Sequence, residues 1–142
     1  MADIEITGIE EVCANLEQMP ARIQKVALGK ALVAGVKPIM DAVAPRIPIG
    51  VTGELGEALM FTVDVSADGR GGVAQVGFGK QGFKARMVEF GHRMVGHKPN
   101  KTDKGKTVPA HPFMRPAAET AAPASVQAFA DSIKESLDGG LV

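Results

Sequence analysis

ARIQKVALGKALVAGVKPIMDAV, residues 21–43, is the stretch around which the rest of the chain must fold. Leu28, Leu32, Val36, Ile39 and Val43 recur at three- and four-residue steps, which puts all five on one side of an α-helix about 35 Å long. A helix of that length is expected to be the central packing element. Val26, Val33 and Met40 form a second apolar line beside it, more than a one-sided amphipathic helix needs. A two-sided core within the subunit is the commoner use of such a surplus, and a second subunit is the other. Pro38 lacks an N–H and its ring crowds the preceding turn, so a kink or a new segment is expected there.

On the N-terminal side, Asp3-Ile4-Glu5-Ile6-Thr7 alternates polar and apolar and reads as a short half-buried strand ending at Gly8. Ile9, Val12, Cys13 and Leu16 then fall at helical spacing, with Glu10 and Glu11 where a helix dipole favours anions. On the C-terminal side, Pro45, Pro48, Gly50 and Gly53 make an ordered loop, and Thr52 is a candidate cap for a short turn over 54–58. Phe61, Val63 and Val65 alternate with Thr62, Asp64 and Ser66. A glycine-rich turn, Asp68-Gly69-Arg70-Gly71-Gly72, separates this strand from a second over 73–78, which predicts a β-hairpin. Residues 84–90 read as a short helix carrying Met87, Val88 and Phe90. Residues 91–110 are polar and basic and read as an extended, mobile loop. Helical spacing returns from Phe113 to Leu137 through Ala117, Ala121, Val126, Phe129 and Ile133, limited by Pro116 and Pro123 and stopped by Gly139-Gly140. The expected fold is α+β: a small antiparallel β-sheet packed against a long helix, with a C-terminal helix and a long basic loop. Its 142 residues fit one domain, 1–142.

Aromatic residues are 4% of the chain, with no Trp or Tyr, so the core must be packed from small aliphatic side chains and six Phe. Sixteen basic and sixteen acidic residues cancel, and net charge predicts no attraction to nucleic acid or an anionic membrane. The charge comes in blocks. Residues 1–17 hold Asp3, Glu5, Glu10, Glu11 and Glu17 and no base, residues 18–50 are basic, 51–69 acidic, and 91–111 basic again. Such blocks suit subunits that meet head to tail, although a plain solvated surface explains them as well. Cys13, the sole cysteine, reads as a small buried hydrophobe. No signal-peptide pattern or membrane-length apolar run is visible, so a soluble protein made in a cytoplasm is expected.

Catalytic chemistry has no visible players. Glu89, His92, His97 and His111 are metal-ligand types, but their spacing is weak and two of the histidines fall in the loop. Gly77-Phe78-Gly79-Lys80 and the 69–72 turn fit no phosphate-binding pattern, and Cys13 has no histidine near it in sequence. Hence no catalytic residue, metal or cofactor is expected. Lys98, Lys101, Lys104 and Lys106 are candidate contacts to DNA phosphates. With no aromatic residue between Gly91 and His111 to stack on bases, such contacts would be blind to sequence.

Two short motifs remain, Glu89-Phe90-Gly91 and Pro112-Phe113-Met114-Arg115-Pro116-Ala117. With the opening strand and helix pair, and the Pro-rich link carrying Thr52-Gly53, their order resembles that of the neck and tail-completion proteins of long-tailed phages. The chain departs from the family in its extended 91–110 segment and in acidic Glu54 and Glu57 after Thr52-Gly53. The resemblance implies a non-enzymatic virion protein at the head–tail junction, assembled in the bacterial host cytoplasm. It implies a homo-oligomeric ring of six or twelve copies, seated between a head-side connector or head-closure protein and a tail terminator or tail tube, with DNA passing through its channel and no membrane involved. Phe90, Gly91, Phe113 and Arg115 are the candidate interface or anchor residues, the two phenylalanines pinning the ends of the loop to the core. Two other classes stay open: a small non-specific nucleic-acid-binding protein using the basic loop 93–106, and a metal-dependent hydrolase built on Glu89 and the histidines.

Overall fold

Two helices from opposite ends of the chain form the spine of the molecule in a computed structural model that describes residues 8–50, 53–95 and 103–139. In chain order, α1 (Ile9–Glu17) and α2 (Ala21–Val43) lead through a 3₁₀ turn at Ala44–Arg46 to the short α3 (Glu54–Glu57). The hairpin β1 (Met60–Val65) and β2 (Gly72–Gly77) follows, then α4 (Gly82–Phe90), a second strand pair β3 (His92–Val95) and β4 (Asp103–Val108), and α5 (Met114–Asp138). The expected α+β class is present, with two small antiparallel sheets in place of one. The strand expected over Asp3–Thr7 and the Thr52 cap lie outside the described residues.

The long helix uses two faces, one of them the stripe that spacing implied, in which Val36 and Val43 are 4% and 1% exposed. Ala27 and Ala31 are fully buried and Gly35 is buried with them on a second face, packed along α5. Small residues let the two helix backbones approach closely. A Cβ on Gly35 would stand 3.3 Å from the Ser125 carbonyl oxygen, and Ser125 Oγ donates a 2.5 Å hydrogen bond to the Gly35 carbonyl. Leu28 and Leu32, from the predicted stripe, are half-buried on another side, beneath Gly72 of the hairpin. The second apolar line is not a core face, since Val26 and Val33 are 46% and 45% exposed.

Neither internal proline breaks its helix. Pro38 lies inside α2 and Pro123 inside α5, both of which run on as continuous helices. Packing of α2 along α5 compensates for the helical hydrogen bond that each proline cannot donate.

Between β1 and β2 the register pairs Phe61 with Val76 and Val63 with Ala74; Val63, Val65, Ala74 and Val76 are half-buried on the side packed to α2, while Phe61 is 40% exposed. At the far end of α2 a cluster of Val43, Ile47, Phe78, Ala85, Phe113 and Ala117 closes the core. Phe78 and Phe113 meet edge to face, ring centroids 5.6 Å apart at 66°. Cys13, expected inside, is exposed.

Candidate assembly site

Ala85 and Glu89, one helical turn apart on α4, both point inward, and an acid in a core needs partners. Glu89 is only 7% exposed. Its Oε2 accepts hydrogen bonds from the backbone N–H groups of Phe113, at 2.8 Å, and Met114, at 3.0 Å, while Oε1 accepts from Arg115 N–H at 3.1 Å. These are the opening donors of α5, whose own N-cap position, Phe113, has no oxygen with which to cap them. The next residue is Pro116, which has no N–H to satisfy. One carboxylate from a different helix, followed by one proline, therefore accounts for the whole orphaned first turn.

Burial acts to raise the Glu89 pKa, yet the three backbone donors, helped by the positive charge of Arg115, outweigh it and hold the carboxyl below its ordinary value. The charged form is thus the one that the fold prefers.

Directly after α4, Gly91 takes φ +73° and ψ 171°, a region open essentially to glycine. A Cβ there would lie 2.6 Å from the Val108 carbonyl oxygen and 2.9 Å from Ala110 N, so the chain entering the 91–110 segment and the chain leaving it cross at van der Waals contact. Beside this crossing His111 N–H donates to the Val88 carbonyl at 2.8 Å. Substituting Gly91→Ala is expected to destabilise the protein by roughly 2–4 kcal/mol, from a strained backbone plus the clash. Chemical denaturation checks this, and a change under 1 kcal/mol would show that the crossing can open freely.

The segment between these ties is not the irregular loop that its composition implied. β3 and β4 pair antiparallel, His92 with Val108 and Arg93 with Thr107, with an irregularity before Val95 pairs with Asp103. Gly105 has φ +64°, the conformation that lets a strand bulge. Lys106 is exposed on β4, Lys104 lies on the same strand, and Lys98, Lys101 and His97 fall outside the described residues.

The four candidate anchors separate. Phe113 is 3% exposed in the core. Phe90 is 73% exposed, so it does not pin the segment to the core, and its neighbour Glu89 holds that end instead. Gly91 forms the crossing. Arg115 contributes its N–H to the latch and sends its side chain outward, 3.6 Å from Glu119. Sequence reading missed the role of Glu89, although the signal was present: a long helix beginning after His111-Pro112-Phe113 carries no Ser, Thr, Asp or Asn to cap it. With both its oxygens turned to α5, Glu89 is not arranged as a metal ligand. Among the described residues no three His, Cys, Asp or Glu side chains stand together as a metal site. His92 Nδ1 is buried without a hydrogen-bond partner, and the geometry assigns it no role.

Between the exposed Lys84 and Arg86, α4 also turns an apolar stripe outward. Phe83 is 74% exposed, and with Met87 and Phe90 it forms an i, i+4, i+7 stripe around Arg86 and Gly91. The model of a family described as "Bacteriophage HK97-gp10, putative tail-component" matches residues 10–91, more than half of the chain and ending at the glycine of the crossing. No curated protein and no solved structure matches the chain significantly.

Proposed function

Because the chain belongs to the HK97-gp10-like family of bacteriophage tail components, we propose that it is a structural protein of the head–tail junction, a neck or tail-completion ring around a DNA channel. It acts by assembly and without catalysis, as a single domain. The observation that carries this reading is the outward stripe Phe83, Met87 and Phe90, held on a helix that the Glu89 latch fixes to the core. Two largely exposed phenylalanines on a rigid element are costly in water and favourable once covered by a neighbouring protein. Its neighbours are then copies of itself, a head-side connector or head-closure protein, and the tail terminator or tail tube. Among the described residues no helix is long and apolar enough to cross a membrane.

Cryo-electron microscopy of virions is the direct test. A ring of this chain between connector and tail tube would establish the joining role and its copy number, whereas absence from mature particles would refute it.

If the β3–β4 ribbon faces the channel, Lys106 and the lysines around it meet DNA only through phosphates. Replacing Lys98, Lys101, Lys104 and Lys106 together by Ser is expected to leave melting within about 1 kcal/mol of the parent. It should also flatten any salt dependence of DNA binding. Unfolding of that variant would show that the ribbon's lysines belong to the core structure.

A further inference from the structure

Beside the outward stripe lies a groove of about 560 Å³ whose walls come from α2, β2, α4 and the start of α5. Ile39, Val76, Phe90 and Met114 make it apolar, and Arg86 and Arg115 give it two positive charges. The third charged group in its lining, Glu89, is already committed to the α5 backbone. Ala74, Val76 and Gly77 of β2 line the groove and no residue of β1 does. It therefore opens on the side of the hairpin away from β1, where β2 has no strand partner among the described residues. An unpaired strand edge next to an apolar trough is a template for one more strand of alternating character.

We infer that the occupant is the segment Asp3-Ile4-Glu5-Ile6-Thr7 of a second copy of this chain, added as a strand along the free edge of β2. Period-two alternation puts Ile4 and Ile6 on one side, to enter the groove, and leaves Asp3 and Glu5 on the other, facing the mouth where Arg86 and Arg115 stand. The charges match: the first seventeen residues hold five acids and no base, against two arginines at the groove. A closed ring needs each subunit to reach its neighbour, so the ring reading favours a second copy over the chain's own arm. A contact of that kind is heterologous, and when its rotation closes it makes a ring. This inference rests on the ring reading above and supplies its subunit contact.

Engineered disulfides in the full-length chain test it. In a Cys13→Ser background, Ile6→Cys is combined with Ala118→Cys, on the groove wall, and the concentrated protein is oxidised and run without reductant. The expected result is a ladder of disulfide-linked multimers. A cross-linked monomer alone means that the arm folds onto its own groove and overturns the proposal, as does the absence of any cross-link. Charge exchange supplies the second arm. Arg86→Glu with Arg115→Glu should lower the multimer fraction at least tenfold, and adding Asp3→Lys with Glu5→Lys should restore it. Loss without restoration refutes the pairing. A ring in virions together with no cross-link would sink the arm exchange alone, whereas no ring in virions and no multimers would sink the ring reading itself.

Discussion

Replacing Glu89 by Ala is expected to destabilise the protein by about 3 kcal/mol, lowering the melting temperature by roughly 10 °C. The substitution strips the cap from α5 and leaves the buried Phe113 N–H, with those of Met114 and Arg115, without an acceptor. The pH dependence separates this from simple loss of volume. Because the carboxyl titrates below its ordinary value in the folded state, its contribution is present above the unfolded pKa of about 4.3 and is lost as pH falls through the lower folded value. Parent and Glu89→Gln should therefore differ in stability at neutral pH and converge on acidification. Parallel curves across that range would show that the charge of Glu89 contributes nothing to the latch.

Phe113→Ala is expected to cost roughly 3–5 kcal/mol, a large part of the margin of an ordinary domain. The ring is 3% exposed, meets Phe78 edge to face, and touches the same cluster as Val43, Ile47 and Ala85. Its loss opens a cavity at the point where α5 begins. Phe90→Ala, one helix away, is the matched control. With its ring 73% exposed, that variant should melt within about 0.5 kcal/mol of the parent while losing assembly. If the two variants melted alike, the assignment of one phenylalanine to the core and the other to the surface would fail.

The contrast between those two rings marks where sequence stopped being a guide. Both sit in short motifs with helix-breaking neighbours, and composition alone treated them as equivalent anchors. Direction separates them, since Phe90 follows Glu89 on α4 by one residue, about 100° round the helix, and an inward Glu89 turns Phe90 out. Where periodicity carried the signal, reading succeeded: α2, the β1–β2 hairpin and α5 all follow the spacing of Leu, Val and Ala. Periodicity also misled on α2, because apolar rank put Val26 and Val33 ahead of Ala27, Ala31 and Gly35. The close helix pair selects small side chains over large ones. The β3–β4 ribbon was invisible for a related reason. Its residues Asp103, Lys104, Gly105, Lys106 and Thr107 bury no alternating apolar face, so pairing rather than patterning makes it a strand. The Glu89 latch joins residues more than twenty positions apart, and no local rule links them except the absence of a cap where α5 begins.

The pairing of α2 with α5 also decides when this protein acquires its fold. Gly35 and Ser125 are joined by a hydrogen bond across ninety positions, and Ala27 and Ala31 are covered by a helix that ends at Asp138. A nascent chain emerging from the ribosome therefore carries α2 with its small-residue face open to water until nearly the last codon of α5 has been translated. The helix pair cannot close before α5 is made, and long-range closure of this kind is slow compared with local helix formation. Chains halted before α5 would expose that face together with Phe78 and Ala85, the kind of surface by which chaperones and proteases sort unfinished products. Only subunits that carry α5 can then close their core, a quality filter written into the order of the helices.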